Sequence, residues 1–104
     1  MNYFEEKLVT IKPISGFRVW VEFEDSFAAE LDLEPLIALG PLYAPLSDPA
    51  VFAAPRIEWG VPIWGEDLDL PPGAVRAWAE QGRVLSREET GQWWLQRAPQ
   101  TVVA

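Results

Sequence analysis

Apolar and polar residues alternate along two neighbouring stretches of the chain, and this alternation predicts a pair of strands. Every second residue is apolar in residues 17–23, and the same spacing recurs in residues 27–33. A period of two is typical of a half-buried strand. The polar residues 24–26 between the stretches favour a turn, so the pattern predicts an antiparallel hairpin. Residues 7–12 form a shorter apolar-rich run that predicts a further strand before the hairpin.

Proline and glycine divide the middle of the chain into short segments. Residues 34–39 predict a short helix that ends at a glycine, and the proline-rich residues 41–47 predict a loop. Asp48 followed by Pro49 is typical of a helix start. The aspartate side chain can accept a free backbone N–H group, and proline has no N–H group to leave unpaired.

Strand signals return after this segment. Residues 56–59 and 61–64 predict two short strands joined at Gly60. Residues 65–73 predict a loop that leads into a helix. We expect that helix to end at Gly82, because glycine readily adopts the left-handed conformation that closes many helices.

A last helix is predicted near the C-terminal end of the sequence. Ser86 and Glu89 have the spacing of a capping box, in which each side chain bonds the backbone N–H group of the other residue. This favours a helix over residues 87–97. We divide the chain into a domain at residues 1–82 and a C-terminal extension at residues 83–104 that packs on the domain or on a partner.

These segments together predict a single small α+β domain. We expect a mostly antiparallel sheet of about five strands with short helices on one face, followed by the C-terminal extension. A chain of 104 residues with 49% hydrophobic residues is long enough to form one core, and it is typical of one domain.

The composition limits the kinds of site that the chain can form. The sequence contains no cysteine and no histidine, which excludes disulfides, thiolate metal sites and imidazole catalysis. The net charge is −8, and the eight basic residues are spread along the chain. We therefore expect no direct nucleic-acid binding and favour a protein partner, or a second copy of the chain. No apolar run is long enough for a membrane span, and the N-terminus lacks the pattern of a secretion signal, so we expect a cytoplasmic protein.

One set of residues follows a characteristic order along residues 7–82: Phe23, Asp25, Asp32, Leu33, Pro35, Leu36, Gly40, Leu46, Asp48, Pro49, Phe52, Ile63, Trp64, Asp67, Leu68, Asp69 and Pro72. This order resembles the bacterial domain of unknown function 2442 family. The resemblance implies a small α+β domain, often encoded beside another small protein in arrangements similar to toxin–antitoxin pairs. Some relatives carry an attached helix-turn-helix, and the resemblance brings no catalytic residue or cofactor.

Two positions depart from the family pattern. The family usually has Asp-Gly in the hairpin turn, whereas this chain has Asp25-Ser26. The loop at residues 64–68 is also shorter than the family's, so a binding site there would differ in shape.

One acidic cluster could carry chemistry. Glu66, Asp67 and Asp69 are oxygen ligands of the kind that Mg²⁺ and Ca²⁺ prefer, and paired carboxylates can serve as acid and base. A simpler interpretation is that Asp67 and Asp69 cap the helix that follows. We favour capping and predict no metal site, no cofactor and no catalytic residue. A small-molecule or divalent-metal activity at this loop remains the alternative.

Six tryptophans are the other unusual feature. Trp59, Trp64 and Trp78 fall on positions that we assign to the core. Trp20 shares its strand face with charged residues, so it is either covered by another segment or presented to a partner.

Trp93 and Trp94 are adjacent in the predicted last helix, where they point about 100° apart. Either the C-terminal segment folds back and one of them packs with Trp20, or they contact a partner. Tryptophan is enriched among interface anchors, so Trp20, Trp93 and Trp94 are the candidate partner-binding residues.

Residues 85–90 are similar to the first helix of a helix-turn-helix. The acidic charge and the short remaining sequence argue against that interpretation. We expect a non-enzymatic protein-interaction or regulatory module, with a toxin–antitoxin-like partner protein as one form of it.

Overall fold

The structure is a computed structural model that describes residues 7–66 and 68–97. Three strands come first, then three short helical segments, three more strands and two longer helices. The strands form two three-stranded antiparallel sheets. The molecule is therefore a small α+β fold, as the sequence predicts at this level.

The first sheet contains the predicted hairpin. Its strands are β1 (Leu8–Pro13), β2 (Arg18–Phe23) and β3 (Ala28–Asp32), with β2 in the centre. Val19, Val21 and Phe23 are buried and alternate with more exposed residues, as a period of two requires. Both the hairpin and the strand before it are confirmed.

The hairpin turn holds Ser26 in an unusual backbone conformation. Ser26 has a φ of 76°, and its N–H group donates to the carbonyl of Phe23 at 3.0 Å. The N–H group of Phe23 in turn donates to the carbonyl of Phe27 at 2.9 Å. Three-residue hairpin loops often end in such a left-handed residue, and glycine adopts that conformation with the least strain.

Replacing Ser26 with glycine is expected to stabilise the protein. Relief of left-handed strain is worth about 1–2 kcal/mol, and the greater freedom of glycine in the unfolded chain offsets about 0.4–1 kcal/mol of it. Urea denaturation should therefore show a net gain of up to about 1.6 kcal/mol. Ser26→Val is the matched control and should lose stability, because a β-branched residue fits a positive φ poorly. A less stable glycine variant would contradict the prediction.

Three short helical segments follow the first sheet: α1 (Glu34–Ile37), a 3-10 helix (Pro41–Ser47) and α2 (Pro49–Phe52). The Asp48 side chain accepts from the N–H group of Ala50 at 2.9 Å, which confirms the predicted helix start. The prediction of a loop at residues 41–47 is wrong. Proline fixes a φ that suits a 3-10 turn, so a proline-rich segment can coil without forming an α-helix.

The second sheet consists of β4 (Arg56–Glu58), β5 (Val61–Trp64) and β6 (Leu68–Asp69), with β5 in the centre. The predicted single sheet of about five strands is therefore wrong. The helical segments after β3 carry the chain out of the first sheet, and the two-residue strand β6 pairs with β5 instead. The two sheets meet where the N–H group of Leu8 donates to the carbonyl of Gly60 at 3.0 Å.

The first longer helix is α3 (Pro72–Gln81), which ends at Gly82 with a φ of 79°, as predicted. No side chain in the described ranges caps its N-terminus. Asp69 lies in β6 opposite Ile63 instead, so the interpretation of Asp69 as a helix cap is wrong. Asp67 lies outside the described residues.

The second longer helix is α4 (Arg87–Arg97), which begins with the predicted capping box. The N–H group of Glu89 donates to the Ser86 hydroxyl at 3.0 Å, and the N–H group of Ser86 donates to the Glu89 carboxylate at 2.9 Å. Across residues 7–66 and 68–97, no helix is long and apolar enough to span a membrane.

The hydrophobic core joins the two sheets to both long helices. Phe23 of the first sheet and Trp64 of the second are its largest fully buried side chains. Val84, Leu85 and Trp93 belong to the same core, so residues from the segment after α3 are packed together with residues of the sheets.

Candidate interaction surface

Two indole groups attach α4 to α3. The Nε1–H group of Trp78 donates to the Thr90 hydroxyl at 3.0 Å, inside the core. The Nε1–H group of Trp94 donates to the carbonyl of Gly73 at 3.0 Å, at the start of α3. Helix α4 therefore lies against α3, because a buried indole needs a hydrogen-bond acceptor and α3 and α4 supply one for each other.

The three candidate partner-binding tryptophans differ in accessibility. Trp93 is 8% exposed and lies in the core, and its ring meets that of Trp94 edge-on at 5.0 Å. Trp20 is 39% exposed on the outward face of the first sheet, directly opposite Lys12 and Glu30 on the neighbouring strands. The structure therefore leaves Trp20 the most open of the three, and their contact with a partner stays a prediction.

The assignment of Trp59 to the core is wrong. Trp64 and Trp78 are buried as predicted, but Trp59 is 93% exposed. Trp59 and Gly60 form a two-residue turn between β4 and β5, with φ angles of 55° and 81°. Both residues of such a turn extend away from the sheet. The sequence carried this signal, because a hinge at Gly60 already places Trp59 beside the turn.

An apolar groove of about 680 Å³ lies between the first short helices and the two long ones. Leu36, Leu39 and Tyr43 line one side, and Trp78 and Leu85 line the other. Leu39 is 62% exposed at the edge of the groove. Its volume lies within the range of about 300–1,000 Å³ that is typical of ligand pockets. Sequence reasoning missed this groove because its residues are separated along the chain.

Arg76 forms the most extensive polar arrangement of the described residues. Its guanidinium donates to both carboxylate oxygens of Asp25, at 2.9 and 2.8 Å, and to Glu80 one turn along α3. The same group lies over the rings of Phe23 and Phe27, at 5.0 and 4.5 Å from their centroids. This arrangement, the Arg76 clamp, joins α3 to the turn of the hairpin.

The Arg76 clamp shifts the pKa values of Asp25 and Arg76. The hydrogen bonds from Arg76 lower the pKa of Asp25, against a weaker opposing effect of burial. Burial works to lower the pKa of Arg76, but its hydrogen bonds to Asp25 and Glu80 outweigh burial and raise that pKa. Both groups are therefore charged at neutral pH, and the clamp has a structural role in the chain.

The described residues of the acidic loop show no organised arrangement of carboxylates. Glu66 lies in a turn and Asp69 in β6, and both side chains are exposed. No group of three or more His, Cys, Asp or Glu residues that could hold a metal occurs in the described ranges. Asp67 falls outside those ranges, so an activity at this loop stays a prediction.

Glu89 has the largest downward pKa shift among the described carboxylates. Its hydrogen bond with Arg83, aided by the one from the N–H group of Ser86, lowers the pKa of Glu89 from 4.5 to about 2. The lowered pKa means that the folded chain favours the charged form more than the unfolded chain does. Glu89 therefore stabilises the fold above pH 4.5, and this contribution is lost as the pH falls toward about 2.

We expect the free energy of unfolding to fall as the pH drops from 4.5 to about 2. For the Glu89→Gln variant it should fall less steeply over this window. Urea denaturation at a series of pH values measures the slope, and a carbon NMR titration of the Glu89 carboxyl measures its pKa directly. Glu88→Gln is the matched control, because Glu88 is the exposed neighbour in the same helix turn. Equal slopes for the two variants would contradict the assignment.

Most arginines of the described residues are engaged with acids. Arg18 pairs with Glu30, Arg56 with Glu58 and Arg83 with Glu89, in addition to the Arg76 clamp. Among the cations whose side chains the structure describes, Lys7, Lys12 and Arg87 form no ion pair with another described residue. These are the cations of the described part that are open to an anionic partner.

Comparison with known proteins gives one informative match. No family model matches the chain, and no curated protein matches it. The chain is similar to the crystal structure of the "putative DNA binding protein NE0471" from Nitrosomonas europaea ATCC 19718, with 31% identity and a TM-score of 0.69. The match covers 93% of this chain and 64% of that protein. The resemblance to the domain of unknown function 2442 family stays a prediction.

This match contradicts the expectation that the chain does not bind nucleic acid directly. That expectation rested on the net charge of −8 and on the spread of the eight basic residues along the chain. Net charge averages over the whole surface and does not say where unpaired cations lie, whereas binding to DNA depends on the local arrangement of cations.

Proposed function

We propose that this chain is a non-enzymatic regulatory module that associates with DNA. The likeness to the Nitrosomonas europaea protein carries the proposal, because it extends over nearly the whole chain and includes sequence identity as well as fold. The absence of histidine and cysteine from the sequence supports a role in binding rather than catalysis. A bacterial cytoplasm, where the chromosome lies, is the compartment that fits this role.

The pair of long helices supports the same proposal. Helices α3 and α4 are joined by the five residues 82–86, beginning with Gly82. Two helices joined by a short glycine-containing turn are a frequent arrangement in DNA-binding proteins. Arg87, at the start of α4, is exposed and forms no ion pair with a described residue, so it is available to a phosphate group.

Fluorescence anisotropy with a labelled duplex of mixed sequence tests the proposal on the full chain. We expect binding at about 50 mM salt that weakens steeply by about 200 mM, because neutralising phosphates releases counterions. The slope of log affinity against log salt measures the number of phosphate contacts. Absence of binding at the lowest salt, with duplex and with single-stranded DNA, would remove the proposal.

Two arginine variants localise the contact. Arg87→Gln should weaken DNA binding and reduce the salt slope by about 1, as the loss of one phosphate contact does. Arg18→Gln is the matched control, since Arg18 is exposed but pairs with Glu30 on the first sheet. If the two variants behave alike, α4 is not the contact that the proposal assigns.

A further inference from the structure

The side chain of Trp59 contributes little packing to the fold. Its indole is almost fully exposed, and its positive φ is unfavourable for a bulky residue. Asparagine followed by glycine is the sequence that this turn type prefers. A residue held in a strained conformation without packing indicates a binding role, and tryptophan is enriched among the anchors of protein interfaces.

The turn that carries Trp59 is held rigidly against the first sheet. A Cβ atom at Gly60 would lie 2.6 Å from the Cβ atom of Lys7, so the turn and the segment before β1 pack too closely here for any side chain at position 60. The hydrogen bond from Leu8 to the Gly60 carbonyl fixes the same point. Trp59 is therefore presented on a supported turn, and little conformational entropy is lost when it is buried in an interface.

The apolar groove lined by Leu36, Leu39, Tyr43, Trp78 and Leu85 is a receptor of matching character. It is large enough for an indole ring and is lined mainly by apolar side chains. Arg87 lies at the groove and forms no ion pair with a described residue. Glu58, the neighbour of Trp59, forms an exposed ion pair with Arg56, and its side chain is 52% exposed. Such surface pairs contribute little, so the Glu58 carboxylate can also accept from the cation at the groove of another copy, and the two groups are complementary in charge.

We propose that two copies of this chain form a two-fold dimer in which Trp59 of each copy inserts into the apolar groove of the other. Glu58 then approaches Arg87 at both contacts. A closed two-fold arrangement uses the same pair of surfaces twice and is the commonest symmetry of protein oligomers. The inference does not rest on DNA association, because the turn and the groove carry it. Both proposals use Arg87, which lines the groove, so the dimer contact and a phosphate compete for this side chain.

Sedimentation equilibrium of the full chain over a range of concentrations tests the dimer. We expect a monomer–dimer equilibrium that Trp59→Asn weakens by about thirtyfold or more, the effect of losing an interface anchor. The melting temperature of dilute, monomeric Trp59→Asn should equal or exceed that of the monomeric parent chain, because asparagine fits the turn better. A chain that is monomeric at every concentration, or a Trp59→Asn dimer as tight as the parent, overturns the proposal.

Leu39→Gln tests the groove side. It should weaken the dimer, because it places an amide in the apolar contact. Leu95→Gln is the matched control, since Leu95 is similarly exposed but lies outside the groove, and it should leave the dimer unchanged. Equal effects of the two glutamine variants would overturn the assignment of the groove.

Mixing the two weakened variants gives the sharpest test. A Trp59→Asn copy keeps an intact groove, and a Leu39→Gln copy keeps an intact Trp59, so their heterodimer has one complete contact and each homodimer has none. The mixture should therefore associate more tightly than either variant alone. Failure of the mixture to do so means that Trp59 meets some other surface, which overturns the proposal.

Salt distinguishes this inference from the proposed function. Two copies that each carry a net charge of −8 repel one another, so added salt should strengthen the dimer by screening that repulsion. DNA binding should weaken over the same range. Either property can therefore fail without the other.

Discussion

Replacing Arg76 with alanine is expected to lower the free energy of unfolding by about 3 kcal/mol, near the low end of the range for breaking a buried ion pair. The Arg76 side chain is 10% exposed and would leave behind the carboxylate of Glu80, which is 18% exposed. Asp25 is 52% exposed and can return to water at little cost, which keeps the loss at the low end. The variant also loses the contacts of the guanidinium with two phenylalanine rings.

Two further variants identify the source of this loss. Arg76→Met keeps much of the side-chain volume over the rings and should recover part of the stability, since packing as well as charge is removed by alanine. Arg18→Ala is the matched control, because Arg18 forms an exposed pair with Glu30 whose loss should cost under about 1 kcal/mol. Urea denaturation of the three variants measures the differences. Equal losses for Arg76→Ala and Arg18→Ala would contradict a structural role for the clamp.

Replacing Trp64 with alanine is expected to cost about 3–5 kcal/mol, the range for removing a large aromatic side chain from a core. Trp64 is fully buried, and its ring stacks with that of Phe52 at a centroid distance of 6.4 Å. Its Nε1–H group also donates to the Phe52 carbonyl at 3.3 Å. The substitution therefore removes apolar contacts and leaves a cavity where the second sheet meets α2.

Trp59→Ala is the matched control for Trp64→Ala, because it makes the same substitution at the turn of the same strand pair. Measured on dilute, monomeric protein, an exposed side chain away from buried features should change stability by no more than about 0.5 kcal/mol. Trp64→Phe keeps most of the ring and should lose about 1–2 kcal/mol, which provides a folded variant if the alanine variant unfolds. Similar losses at Trp59 and Trp64 would contradict the burial of one and the exposure of the other.

Features set by neighbours along the chain could be predicted from the sequence. The hairpin follows from alternation on both sides of a polar turn, and the helix starts at Asp48 and Ser86 follow from caps whose bonds span two or three residues. Such signals involve residues whose geometry is already constrained by the connecting backbone.

Features that depend on distant residues could not be predicted. The division into two sheets depends on the pairing of Leu68–Asp69 with β5, and a two-residue strand carries almost no periodic signal. The Arg76 clamp depends on Asp25 in the hairpin turn, where an acidic residue reads simply as a turn former. The apolar groove combines residues from four helical segments and their connections, none of which is distinctive alone.

The tryptophans illustrate the limit of sequence-based prediction within one residue type. Trp64 sits on a strand and is buried as predicted, whereas Trp59 is displaced by one residue from the end of β4 and is exposed. The strand pattern assigns both to the core, and the turn geometry separates them. Trp93, a candidate partner-binding residue, is buried, whereas Trp59, assigned to the core, is exposed.

The Arg76 clamp also affects how the protein unfolds. Arg76 and Asp25 are 51 positions apart, so their contact requires the hairpin and α3 to have met already. Contacts that form after the folding transition state slow unfolding without accelerating folding. If the clamp is such a late contact, Arg76 acts mainly on the lifetime of the native state, and with it on resistance to proteases that cleave the chain faster than it can close again.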